Sequence, residues 1–216
     1  MTADSGNAKL IRTKEQWAQN GRSITGLIGD RRKDRLPPGQ HLVKDFPVLD
    51  LGKQPNMLPK EWALSAAGEI SRPFRWNWHD FMAQPQVEIT SDIHCVTTWS
   101  RYDNRWKGVG ARHFLAEVQP KPNASFLMVR SYDGYATNVP LSWLDDDDVL
   151  FAHTWNGAPL APEHGGPVRL IIPKLYFWKS AKWIRHITFM DKDAPGYWEA
   201  RGYHDVGDPW KEERYG

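Results

Sequence analysis

The apolar residues of this chain come in short runs broken by turn formers, and that punctuation limits its architecture more than any other feature. Trp62–Ile70, Gln86–Asp92, Ser125–Ser131, Val168–Pro173 and Ile184–Phe189 are each short and rich in β-branched or aromatic residues, as strands are. Short helices fit at His79–Ala83 and Ala111–Val118, and the acidic run Asp145–Asp148 suits a helix start, where negative charge meets the positive end of the dipole. Asp133-Gly134 marks a turn between a strand ending at Ser131 and a segment over Tyr135–Leu141. Strands outnumber helices without regular alternation, so the expected class is α+β, with mixed sheets and short helices, and not a doubly wound βαβ fold.

Two segments are expected. Residues 1–34 are polar and charged, with room for a short helix over 14–20, and read as an N-terminal arm; residues 35–216 form one folded domain beginning near the Leu36-Pro37-Pro38-Gly39-Gln40 turn. A net charge of +2 gives no field that would recruit nucleic acid, and no apolar run reaches the roughly 18 residues needed for a transmembrane helix. The N-terminus lacks a basic segment followed by an apolar one, and the single cysteine cannot form an internal disulfide, so a cytoplasmic location is expected. Twelve tryptophans, several beside Pro, Lys or Arg, suit a rigid pocket for a planar, polar ligand.

That cysteine, Cys95, ends the alternating stretch Gln86–Asp92 and stands where a strand gives way to a loop. A zinc site would need close-set ligand pairs, which the sequence lacks; His94 beside it would point to the opposite face of a strand. A cysteine hydrolase needs a histidine base, and His41, His113, His153, His164 and His186 are available, but Val96–Ser100 has no glycine-rich oxyanion loop. A thiolate on a soft redox metal needs an organic cofactor and an anion clamp. Gly165-Gly166-Pro167-Val168-Arg169, Lys174 and Lys179-Ser180-Ala181-Lys182-Trp183 supply candidates, since guanidinium, ammonium and exposed backbone N–H groups together suit phosphate. The four aspartates lack the alternating spacing of a calcium loop.

Taken together, His94–Ser100, Gly165–Arg169, Pro173, Lys179–Trp183 and Ile187 resemble the sulfite oxidase superfamily, on the side of the bacterial molybdopterin-dependent oxidoreductases that include the catalytic subunit of methionine sulfoxide reductase. The resemblance runs from about Leu36 to the C-terminus. It implies the sulfite oxidase molybdopterin-binding fold and a mononuclear molybdenum held by pterin dithiolene and one protein thiolate, which Cys95 matches as metal ligand and catalytic residue. It further implies cofactor contacts from Ser131, from the pair His164 and Arg169, and from Ser180, Ala181 and Lys182 around the phosphate. Near the start of the core, Arg35 or Gln40 would fill the place of an N-terminal cofactor contact.

The expected activity is oxygen-atom transfer to or from a small oxo substrate such as sulfite or a sulfoxide. Electrons would pass to or from a separate redox partner, because the chain has no heme attachment motif, iron–sulfur cysteines or dinucleotide fingerprint. Arg101 and Arg105 could attract an anionic substrate, and Tyr176, Phe177 and Trp178 could wall the pocket. A non-catalytic molybdopterin carrier and a cysteine hydrolase are the two alternatives.

Overall fold

The computed structural model describes residues 35–216. The polar arm expected over 1–34, with its helix over 14–20, lies outside the described residues. In order, the chain forms β1 (His41–Leu42), β2 (Ala63–Gly68), β3 (Phe74–Asn77), α1 (Trp78–Met82), β4 (Gln86–His94), β5 (Trp99–Gly110) and α2 (Ala111–Val118). There follow β6 (Phe126–Ser131), β7 (Ala136–Pro140), β8 (Leu150–Trp155), β9 (Ala158–Pro159), β10 (Arg169–Ile171) and β11 (Ile184–Met190). Short 3-10 turns fill several connections.

The strands make two mixed sheets. A six-stranded sheet runs β1-β5-β8-β10, with β4 on β5 and β9 on β8; a five-stranded sheet runs β3-β2-β11-β6-β7. Pairing is antiparallel except for β1 with β5 and β11 with β2. The class is α+β, as the punctuation of the sequence implies.

The sheets meet at α2. Its buried residues Ala111, Phe114 and Val118 share one face at helical spacing. Phe114 packs its ring 4.9 Å from Phe151 of β8 in one sheet, and 5.3 Å and 6.1 Å from Phe74 of β3 and Phe189 of β11 in the other. Asn77 caps α1 in a reciprocal box, accepting from the Asp80 amide while its own amide donates to the Asp80 carboxylate.

One strand lies where the sequence carries no strand signal, and one expectation is corrected. The twelve-residue β5 is the longest strand among the described residues, although Trp99–Gly110 carries charges throughout and shows no apolar run. It is held by neighbours and not by its own hydrophobicity, pairing with β4, β8 and β1. The acidic run Asp145–Asp148 starts no helix: it is a turn whose carboxylates meet Arg112 and Lys174, so side-chain cations neutralise it where a helix dipole was expected to.

Candidate functional site

Cys95 stands at the tip of the β4–β5 hairpin, in a turn closed by the Thr98 amide donating to the Cys95 carbonyl at 3.0 Å and the Cys95 amide donating to the Trp99 carbonyl at 2.8 Å. Thr98 completes the turn at φ +74°, in the left-handed region that a branched residue rarely occupies. The Cys95 Sγ lies 3.1 Å from the Thr97 hydroxyl, and Cys95 is in no disulfide.

The thiol faces a cavity of about 840 Å³ including its open mouth. Besides the Cys95 turn, its lining falls into three groups. Phe46, Pro47, Leu49 and Asp50 form one wall, Asp133, Tyr135, Phe177, Trp178, Trp198 and Tyr203 a second, and His164, Arg169 and Ser180–Trp183 a third.

The third wall is built by Arg169. From β10 its Nη1 donates to the His164 carbonyl and its Nη2 to the Ser180 carbonyl, each at 2.8 Å, so one fork ties together the loop before β10 and the loop before β11. Trp183 Nε1 donates to the Pro162 carbonyl and Lys182 Nζ to the Glu163 carbonyl, both at 2.8 Å, closing the same two loops. Gly165 is required between them. It holds φ +107°, and a Cβ there would come within 2.9 Å of Lys182 Cβ and 3.1 Å of Arg169 Cβ. The Gly166–Pro167 bond is cis.

Arg169 is 2% exposed, its two hydrogen-bonded partners are neutral carbonyls, and its buried Nε has no partner. Burial pulls its pKa down to about 9. A guanidinium so placed suits an anion, because desolvated positive charge is costly until a negative group meets it. The same surroundings act on His164. Burial, with the Arg169 cation second, lowers its pKa to about 4, and its ring stacks on Phe46 at 4.0 Å.

The fit to a phosphate-bearing, sulfur-ligated metal cofactor therefore rests on three features of one cavity. These are a thiol able to bind a soft metal, a buried guanidinium without an acidic partner, and the Lys182 ammonium stem packed against a glycine too close for any side chain. Asp133 adds an acceptor that the sequence reading missed. It lines the cavity, accepts from the Tyr135 amide at 3.0 Å, and burial raises its pKa. Sequence gave only a turn signal there.

The predicted residues divide clearly. Cys95, His164, Arg169, Ser180, Ala181 and Lys182 all line the cavity, as do Phe177 and Trp178. Of the five histidines weighed as hydrolase bases, His164 alone does so. Ser131 lies at the end of β6 with its hydroxyl buried and unpartnered, off the cavity wall. Gln40 is behind the wall, where its Nε2 donates to the Cys95 carbonyl at 3.1 Å and its Oε1 accepts from Ser100. Arg35 lies outside, bound through two nitrogens to Asp92 and also to Asp103. Two carboxylates hold it there, away from the cavity lining.

Other members of the basic clamp are likewise spent elsewhere. Lys174 pairs with Asp146 and Asp148. Lys179 is fully buried, donating to Glu199 at 2.6 Å, to the Asp205 carbonyl at 2.6 Å and to both oxygens of Asn138 at 2.8 Å. Arg101 donates to the Lys44 carbonyl and to Asn104 with its guanidinium over Trp155, and Arg105 is exposed; neither lines the cavity. Tyr176 is buried behind the wall.

Comparison with known proteins identifies the family. The family described as oxidoreductase molybdopterin binding domain matches residues 51–198. An uncharacterized oxidoreductase of Bacillus subtilis, YuiH, is 42% identical over 182 residues, covering 84% of this chain and 92% of its own. A nitrate reductase of Fusarium oxysporum is 24% identical over 194 residues, covering 72% of this chain, which spans only 21% of that relative's length. The crystal structure of the sulfane dehydrogenase SoxCD from Paracoccus pantotrophus superposes with a TM-score of 0.59 over 64% of this chain and 40% of its own, at 23% identity, which speaks to the fold. This chain belongs to the oxidoreductase molybdopterin-binding domain family of the sulfite oxidase superfamily, and is a molybdopterin-dependent oxidoreductase.

Proposed function

We propose that the chain transfers an oxygen atom to or from a small oxo substrate of the sulfite or sulfoxide kind, exchanging electrons with a separate redox partner. The observation that carries this reading is the buried Arg169, lacking an acidic partner, in the cavity that also holds Cys95. Arg169 and Lys182, with Ser180 and Ala181, would hold the cofactor phosphate, and neutral His164 would pack beside it without adding charge. Cys95 would bind the metal through its thiolate. The Asp133 carboxylate, held by the Tyr135 amide, would accept N–H groups from the pterin ring. When bound, the cofactor would supply two-electron redox chemistry.

The chain's own part is to hold, orient and shield. The aromatic walls made by Phe46, Trp99, Phe177, Trp178 and Trp198 exclude water and strengthen every charge interaction inside. Residues 35–216 act as one cofactor-holding unit in this reading. Among them no helix is long and apolar enough to cross a membrane. The lone cysteine, in no disulfide, is consistent with a cytoplasmic setting.

Elemental analysis and the visible spectrum of protein expressed with molybdate test the proposal. One molybdenum per chain, a thiolate-to-metal charge-transfer band that Cys95→Ala abolishes, and dye-linked reduction or oxidation of a sulfoxide or sulfite are the expected results. Bound molybdenum without turnover of any oxo substrate would assign a carrier role. Absence of metal, with ester or amide hydrolysis dependent on Cys95, would assign the hydrolase.

A further inference from the structure

We propose that Arg214 is a positioning residue for Cys95, acting through the backbone of the turn that carries it. The Cys95–Thr98 turn includes a threonine at φ +74°, and a conformation of that kind persists only where the surroundings over-determine it. Two consecutive carbonyls of the turn are captured by side chains from opposite ends of the folded domain. Gln40 Nε2 donates to the Cys95 carbonyl at 3.1 Å, and Arg214 Nη1 donates to the Val96 carbonyl at 2.5 Å. The second is charge-assisted and the stronger kind.

Arg214 is built into place. Its side chain is 12% exposed, its guanidinium lies 5.2 Å from the centroid of the buried Tyr176 ring, and its nearest carboxylate, Glu212, is 4.0 Å away. Tyr176 is itself tied to the tail, its amide donating to the Gly207 carbonyl at 2.7 Å. The two ends of the domain also touch: a Cβ on Gly39 would come within 2.9 Å of Glu212 Oε1 and 3.1 Å of Arg214 Nη2. Gln40 and Arg214 both lie outside residues 51–198, the stretch that matches the family. The thiolate turn thus belongs to the shared domain, while both of its side-chain braces come from the flanks. Arg214 touches neither metal nor substrate in this scheme; it fixes the direction in which Sγ is presented.

The test is the rate at which iodoacetamide traps Cys95 in cofactor-free protein at one fixed pH. Cys95 is 6% exposed at the cavity wall, so the trapping rate reports how far the turn opens to present Sγ to the cavity. Loss of one charge-assisted bond should raise that rate about tenfold in R214A. R214K, which keeps a charged donor, should recover most of the protection. The exposed Lys211 pairs with Asp208 and Glu213 in the same tail, and K211A should trap at the wild-type rate. If R214A does not fold, R214Q replaces it, keeping length and an amide donor but not charge, with intermediate trapping expected. Equal rates in wild type and the Arg214 variant, or equal acceleration in K211A, would overturn the proposal. In metal-loaded protein, R214A should also shift or broaden the thiolate-to-metal band, with R214K restoring it. That second readout rests on the function proposed above; the trapping rate does not, so the two readings fail separately.

Discussion

Arg169 holds its guanidinium 4.1 Å from the centroid of the Phe177 ring. An aromatic face and two carbonyls leave the cation un-neutralised, as binding of an external anion in the proposed function requires. Arg169→Lys keeps the charge but cannot fork to His164 and Ser180 together. Losing one charge-assisted bond to phosphate should cost about tenfold or more in cofactor retention. Pterin fluorescence released on denaturation, measured per chain after dialysis, gives that number. Retention equal to wild type would remove Arg169 from the cofactor site.

Gly165 gives a sharper test of how closely this wall is built. A methyl group at that position would strain the φ of +107° and push on both Lys182 and Arg169. Gly165→Ala should destabilise the fold by about 1–3 kcal/mol, the usual cost of a forced backbone conformation. Cofactor content should fall more steeply than stability, because the residues displaced are the two cavity-lining cations. Thermal unfolding and molybdenum content, compared in one preparation, separate the two effects.

The site was legible in sequence where chemistry and backbone coincide. Cys95 is unique, and Gly165-Gly166-Pro167-Val168-Arg169 joins a glycine pair to a guanidinium, so type and spacing alone suggested an anion cradle. Lys179 and Lys182 were not separable in the same way. Both sit on one short segment, but Lys179 points inward to Glu199 and Lys182 toward the cavity, and that difference is set by the 3-10 turn between Phe177 and Lys179. Arg35 and Gln40 illustrate a further limit. Their partners, Asp92 with Asp103 and the Cys95 carbonyl, lie at least fifty residues away in sequence, and nothing local announces them. The strand β5 was hidden for a related reason, since its stability comes from three partner strands.

Lys179 also makes a strong prediction about the tail. Its ammonium and the Glu199 carboxylate are both fully buried, and Thr137 and Trp178 donate to the same Glu199 oxygen at 2.9 Å. Lys179→Met leaves that carboxylate uncompensated and should cost about 3–5 kcal/mol. The double variant Lys179→Met, Glu199→Gln removes the stranded charge and should recover a large part of the loss. Denaturant unfolding of both variants measures it, with limited proteolysis showing cleavage beyond Glu199 first in the single variant. A single variant as stable as wild type would mean the pair does not fasten the tail.

His164 sets a pH dependence of known sign. In the unfolded chain its imidazole takes a proton near pH 6.5; in the fold, burial and the Arg169 cation delay that to about pH 4. Between those values the unfolded state binds more protons, so the stability of cofactor-free protein falls as pH drops from about 6.5 toward 4. His94, buried beside Ser100 with its pKa also lowered to about 4, contributes in the same window and the same direction. His164→Asn should therefore flatten the profile without abolishing it. A phosphate anion bound at Arg169 would offset the cation that disfavours the imidazolium, so cofactor-loaded protein should lose less stability across that interval. Midpoints of thermal unfolding at half-unit steps from pH 4 to 7, for wild type and His164→Asn with and without cofactor, check each part. Identical slopes in the two cofactor-free proteins would show that His164 does not titrate with folding.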